Sequence, residues 1–146
     1  MEAIIFCGIQ AAGKTTFYKE RFFNTHIRIS LDQLHTRFKE DKFLEVCFFT
    51  GQPFVVDNTN PAKADRQKYI SKAKEHKFKV IGYYFRSNIS DSLYKNNQRT
   101  GKESVPDVAL KSTFNKLEIP AFDEGFDELY YVETKDNNFI IKEWKK

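Results

Sequence analysis

The chain has 146 residues, 40% apolar and 30% charged, with a net charge of +4. Its length favours one domain able to bury about 70% of its unfolded surface, and its 15 Phe, 7 Tyr and 1 Trp exclude intrinsic disorder. Two Cys are too few for a disulfide scaffold; no apolar run reaches the about 18 residues of a membrane-spanning helix; and the start lacks a signal's basic region. A soluble, cytoplasmic domain with no membrane partner is expected.

Ala3-Ile4-Ile5-Phe6-Cys7, a continuous apolar run closed by Gly8, predicts a buried strand. A helix is expected after the glycine-rich turn, running through Phe17, Tyr18, Phe22 and Phe23. His26–Ser30 reads as a second strand, and Leu31 to about Phe49 as one helix with Leu34, Phe38, Phe43, Leu44, Cys47 and Phe48 as its apolar side. Gly51-Gln52-Pro53 breaks it, and Phe54-Val55-Val56-Asp57 predicts a third strand. Asn60 as cap and Pro61 in the first turn open another helix, with Ala62, Tyr69, Ile70 and Ala73 as its apolar stripe. Lys79–Phe85 is a fourth strand. Helical material resumes near Ser90, breaks at Thr100-Gly101 and restarts after Pro106. Leu129–Val132 and Phe139–Ile141 predict a terminal hairpin around Asp136-Asn137-Asn138. No linker or repeat divides residues 1–146, and strand–helix alternation at this rhythm favours a parallel sheet covered by helices on both faces.

Charge is unevenly spread. Residues 1–102 carry 18 Lys and Arg against 10 Asp and Glu, and residues 103–146 carry 6 against 10. The basic part suits an anionic ligand, though ordinary solvated faces account for it equally simply. Residues 61–79 concentrate Lys63, Arg66, Lys68, Lys72, Lys74, Lys77 and Lys79 against Asp65 and Glu75. Such a helix could follow a nucleic-acid backbone or be a lysine-rich solvated face.

The strongest motif is Gly8-Ile9-Gln10-Ala11-Ala12-Gly13-Lys14-Thr15, which fits G-x-x-x-x-G-K-[ST] at every fixed position between a predicted strand and a predicted helix. Glycines let the backbone N–H groups converge on phosphate oxygens, and the helix start adds its positive end. Lys14 can reach the outer phosphates and the Thr15 hydroxyl can ligate Mg²⁺ directly. Asp32 follows the second strand at the carboxyl edge where ligands of open α/β sheets gather; it is a candidate general base or a simple helix-start carboxylate. Asp57 ends the third strand, where it could hold Mg²⁺ through water or cap a turn. Arg99, beside the Thr-Gly break, suits a lid of about residues 95–106 that supplies charge over phosphates, or is a solvated Arg. Cys7 and Cys47 lack metal-ligand spacing and read as small buried hydrophobes.

Together these residues resemble the kinase domain of polynucleotide 5′-kinases. The resemblance rests on Asp57-Asn58-Thr59-Asn60-Pro61 with Arg66 beyond it, Gly8–Thr16, Ser30-Leu31-Asp32, Asn96-Asn97-Gln98-Arg99 and Val105-Pro106-Asp107. It extends through Phe114, Leu117-Glu118-Ile119-Pro120 and Glu124-Gly125-Phe126. It implies an adenylate-kinase-like P-loop NTPase fold, an α/β three-layer sandwich with a mostly parallel central sheet and a helical lid. It implies that Gly8, Gln10, Ala11, Ala12, Gly13, Lys14, Thr15, Thr16, Arg66 and Arg99 bind ATP, with Mg²⁺ as the metal. Asp32, Lys14 and Arg99 would be catalytic, and His35, Asp57, Asn58 and Asn60 would form the acceptor side and site floor. The implied reaction moves the γ-phosphoryl group to a 5′-hydroxyl end of a nucleic acid.

Three departures bear on the acceptor. Leu31 stands where relatives usually carry Arg, His35 stands where some carry an acceptor-binding Arg, and Lys95 replaces a lid Arg. Arg37 lies two positions from the second of these, and His35 is equally readable as a plain exposed His. No D-x-D-x-T/V phosphatase motif occurs. A kinase of a small metabolite or nucleoside, and a non-catalytic nucleotide-binding module, remain open alternatives.

Overall fold

A computed structural model describes residues 1–86, 89–99 and 105–145. One six-stranded sheet runs in the order β2-β3-β1-β4-β5-β6. Its strands are β1 (Glu2–Cys7), β2 (Ile27–Ile29), β3 (Phe54–Val56), β4 (Lys79–Phe85), β5 (Glu128–Lys135) and β6 (Asn138–Glu143). The first five run parallel, and β6 returns antiparallel to β5. Central β1 pairs with both β3 and β4, with Ile4 opposite Val55 on one side and Ile81 on the other.

Burial on both faces explains why β1 and β3 read as unbroken apolar runs. Alternate β1 side chains feed separate cores. Ala3 and Ile5 join Leu44, Phe48, Phe54, Tyr69, Ile70 and Phe78 on one face. Ile4 and Phe6 join Phe17, Tyr18, Phe22 and Phe85 on the other. The second core is an aromatic lattice, with Phe17 edge-on to Phe85 at 5.3 Å and to Phe139 at 5.1 Å between centroids. Such contacts add about 0.5–1.5 kcal/mol per pair beyond area burial.

Among the described residues the helices are α1 (Lys14–Arg21), α2 (Leu31–Leu34), α3 (Arg37–Thr50), α4 (Lys63–Glu75), α5 (Ile89–Asn97) and α6 (Asp107–Lys116), with a short 3-10 turn at Phe122–Glu124. The strands and the helix order match the sequence reading, with three corrections. First, α1 stops at Arg21, and Phe23 is solvent-exposed beyond it. Second, the helix expected from Leu31 to Phe49 is two helices. Ser30 caps α2 by accepting the Asp32 amide, and Thr36 caps α3 by accepting the Lys39 amide. His35, at φ 69°, turns the chain between them. The reset rotates α3 so that Leu44, Cys47 and Phe48 face the sheet, while Phe38 and Phe43, expected inside, are exposed. Third, Asn60 does not cap α4. That helix begins at Lys63, and the Asp65 carboxylate accepts the Ala62 amide at its start.

The hairpin turns at Asp136-Asn137, both at positive φ as a tight two-residue turn requires. No helix among the described residues is long and apolar enough to cross a membrane.

Candidate active site

The crossovers from β1 lead first toward β3 and β2, then toward β4, so the chain reverses direction at the carboxyl end of β1. This is where open α/β sheets place their ligands, and where the loop Gly8–Gly13 emerges. The loop is tightly held: the Gly8 amide donates to Thr59 O at 3.0 Å, and a Cβ on Gly8 would lie 2.9 Å from the Phe85 Cβ. Gly13 takes φ 96° and Ala11 φ 62°. A non-glycine residue held at such a φ is uncommon, and strain of this kind concentrates at ligand-binding loops. Phe17 closes the first helical hydrogen bond, onto Gly13 O. The amides of the preceding turn are the donors that every helix start leaves over.

Lys14 is buried and folds back over the loop, its Nζ donating to Gly8 O at 2.9 Å and Ile9 O at 2.7 Å. Burial pushes its pKa down to about 8, against the attraction of Asp57, Cys7 and Asp32 and with the repulsion of Arg99. Lys14, Asp57, Asp32 and Arg99 therefore share one electrostatic environment, although Asp32 and Arg99 come from different segments. Asp32 is exposed on the short α2.

The Thr15 hydroxyl donates to Asp57 Oδ2 at 2.9 Å. These are hard oxygen donors beside a phosphate loop, and no cluster of three or more His, Cys, Asp or Glu able to cage a metal occurs among the described residues. That donor set fits Mg²⁺, which keeps several waters and takes further oxygens from phosphate. Thr15 would hold the ion directly and Asp57 through water.

Asp57-Asn58-Thr59-Asn60-Pro61 does more structural work than its sequence announces. Asp57 fixes the loop's threonine, and Thr59 holds Gly8. Asn60, at φ 44°, donates to Phe6 O at 2.8 Å. Asn58 accepts the Leu31 amide at 2.9 Å and donates to Glu40 at 3.0 Å. The fully buried Glu40 also receives Lys68, Arg37 and the Tyr69 hydroxyl. Burial raises the Glu40 carboxyl, but these hydrogen bonds outweigh it and hold its pKa below the usual range.

Arg66, expected beside the nucleotide, is instead fully buried. Its guanidinium grips Glu124 at 2.7 and 3.1 Å and donates to Asn60 O and Pro61 O. Glu124 also accepts the Ala121 amide, and Glu118 reaches the Lys63 amide. The family-like pieces around Glu118 and Glu124 thus brace the site floor from behind.

His35 is exposed, and Arg37 turns to Glu40 and Tyr69. Gln10 donates to Thr113 of α6 at 3.2 Å; Ala12 and Gly13 are half-buried and Thr16 exposed in the loop and first turn of α1. Asn96 exchanges hydrogen bonds with the Val105 backbone, closing the base of the expected lid; the Thr100-Gly101 break and the rest of 100–104 lie outside the described residues. The acidic end of the chain pairs with the basic half through Arg66–Glu124, Lys74–Asp127, Lys79–Glu128 and Arg86–Glu133. Of these cations Arg66 and Lys74 belong to α4, where Lys68 also pairs with Glu40. A concavity of about 810 Å³ between α3 and α4 contains none of the loop residues.

Arg28 was not singled out from the sequence. It donates to Asp57 Oδ2 at 2.8 Å and to Thr15 Oγ1 at 3.3 Å. Its one sequence signal is a charge inside an otherwise apolar short strand, Ile27-Arg28-Ile29.

No family model matches the chain. The bifunctional polynucleotide phosphatase/kinase of Schizosaccharomyces pombe is 24% identical over 140 residues, 92% of this chain and 34% of that protein. A protein of Acanthamoeba polyphaga mimivirus assigned the same bifunctional name is 29% identical over 155 residues, 99% of this chain and 37% of its own length. The chain thus spans about a third of the curated relatives it matches. Among solved structures, Chaetomium thermophilum Kti12 superposes with a TM-score of 0.64 at 16% identity, covering 92% of this chain and 90% of that one. A gluconokinase from Sinorhizobium meliloti gives 0.61 at 18%, covering 90% and 82%. The chain has the fold of the P-loop kinases, and in sequence it resembles the polynucleotide 5′-kinase family.

Proposed function

We propose that residues 1–146 act as one ATP-dependent kinase unit that transfers the γ-phosphoryl group to the 5′-hydroxyl end of a nucleic acid. The observation that carries this reading is the Thr15–Asp57 hydrogen bond beside buried Lys14 at the carboxyl edge of the sheet, with Asn58 holding the start of the helix that carries Asp32. The resemblance to polynucleotide phosphatase/kinases supports the choice of acceptor. Asp32, exposed to incoming substrate, takes the acceptor proton. The freed oxygen attacks the γ-phosphorus as the bond to the bridging oxygen breaks and ADP leaves. Lys14 and Arg99 spread the developing charge over the phosphoryl oxygens. Mg²⁺, when bound, neutralises charge on the β- and γ-phosphates. In this reading the protein works in the cytoplasm.

Arg37 supports a second reading, a small-molecule hydroxyl as acceptor. It is tied to Glu40 and Tyr69, so neither it nor exposed His35 supplies the arginine that some relatives place on an acceptor phosphate. Labelled ATP offered with 5′-hydroxyl oligonucleotides and with a panel of nucleosides and polyols separates the two. Label on the oligonucleotide, lost steeply with added salt, supports the first reading. Label on a small acceptor alone replaces it with the second, and binding of Mg·ATP without transfer to any acceptor leaves a nucleotide-binding module.

A further inference from the structure

We infer that Arg28 is a resident cation that holds Thr15 and Asp57 together before metal arrives and competes with Mg²⁺ for them. This rests on the phosphate-loop reading above, but not on the identity of the acceptor.

Arg28 lies on β2, 13 residues along the chain from Thr15 and two strands from β1 in the sheet, and its guanidinium meets both oxygens that would receive the ion. Its Nε donates to Asp57 Oδ2 at 2.8 Å, the same oxygen that accepts the Thr15 hydroxyl at 2.9 Å. Its Nη2 points at Thr15 Oγ1 at 3.3 Å, engaging one of the two lone pairs of that hydroxyl. Asp57 is only 2% exposed in its side chain and Arg28 23%, so the pair is weakly screened on the carboxylate side and open on the cation side. Without a counter-charge the buried Asp57 carboxylate would be costly; Arg28 supplies one. A divalent ion brought to Thr15, and through water to Asp57, meets this fixed positive charge at close range. Like charges so near repel strongly in a partly buried site, so the guanidinium must yield or the ion binds more weakly. Either way, Arg28 raises the Mg²⁺ concentration needed to secure the nucleotide. It also keeps the site assembled when the metal is absent.

The test uses the whole chain, a fluorescent ATP analogue and Mg²⁺ titration, with Arg28→Gln and Arg28→Lys. In Arg28→Gln the Mg²⁺ concentration for half-maximal nucleotide binding should fall by about tenfold or more, since the competing charge is gone. Its melting temperature in EDTA should drop, and Mg·ATP should restore it toward wild type. Arg28→Lys keeps the charge but not the fork; should Arg28→Gln fail to fold, Lys retains a Mg²⁺ requirement close to wild type. An unchanged or higher Mg²⁺ requirement in Arg28→Gln overturns the inference. So does loss of nucleotide binding in EDTA in that variant alone, which would assign Arg28 to the phosphates. Wild-type protein that binds no nucleotide at any Mg²⁺ concentration overturns the phosphate-loop reading itself, a result separable from the others because it needs no variant.

Discussion

Asn58 Oδ1 accepts the Leu31 amide at 2.9 Å, tying the end of β3 to the first residue of the short helix that carries Asp32. The same side chain donates to buried Glu40, which gathers Arg37, Lys68 and Tyr69. A four-residue helix has little stability of its own, so the position of Asp32 depends on this strand-to-helix tie.

Asn58→Ala removes the tie and leaves the Leu31 amide without its acceptor and Glu40 short of a donor. Stability should fall by about 1–3 kcal/mol, read as a lower denaturation midpoint with an unchanged slope. Phosphoryl transfer should lose turnover more than ATP affinity, because the loop and Lys14 are untouched. Equal losses in both would mean that Asn58 supports the fold only.

Arg66→Ala leaves the Glu124 carboxylate buried and unpaired behind the site floor. A loss of about 3–5 kcal/mol is expected, measured by chemical denaturation. If Arg66 instead worked on the nucleotide, the variant would keep its stability and lose ATP affinity.

Phe17→Ala opens a hole among Phe6, Phe22, Phe85, Tyr83 and Phe139. It should cost about 3–5 kcal/mol and loosen the start of α1. The check is a thermal melt combined with nucleotide affinity, both of which should decline.

Lys14 gives a pH signature. Its folded pKa near 8 lies below the ordinary lysine value of 10.5. Between those values the unfolded chain holds more protons here, so this group adds to stability as pH rises. Phosphate favours the ammonium form, so ATP binding in EDTA at about pH 8.5 should take up a proton. Calorimetry in two buffers of different ionisation enthalpy should therefore give different binding heats, a difference abolished by Lys14→Met. Identical heats for the wild type would contradict the lowered pKa.

The strands and the phosphate loop were legible because their signals are local. β1 is a continuous apolar run, β4 has the residues and boundaries expected of it, and Asp136-Asn137 marks the hairpin turn. The loop motif carries its own chemistry in eight consecutive residues. What stayed hidden depends on partners far along the chain. Arg66 was expected beside the nucleotide because nothing near it announces Glu124, 58 positions away. Arg28 drew no attention because its partner Asp57 lies 29 positions away. The division of α2 from α3 was readable in principle, since Ser30 and Thr36 are both capping residues, but a single amphipathic run masked them. The charge asymmetry left an external anion and ordinary solvated faces both open, and it could not show that the acidic end forms ion pairs with the basic half.

Asp32 is where the proposed chemistry is most exposed to test. The decisive comparison is wild type against Asp32→Asn, measuring Mg·ATP affinity and transfer of labelled phosphate to whichever hydroxyl acceptor the wild type uses. The expected result is ATP affinity within about twofold of wild type, since the side chain lies off the loop, with transfer reduced by about a hundredfold or more through loss of the general base. Full transfer by Asp32→Asn would contradict the account.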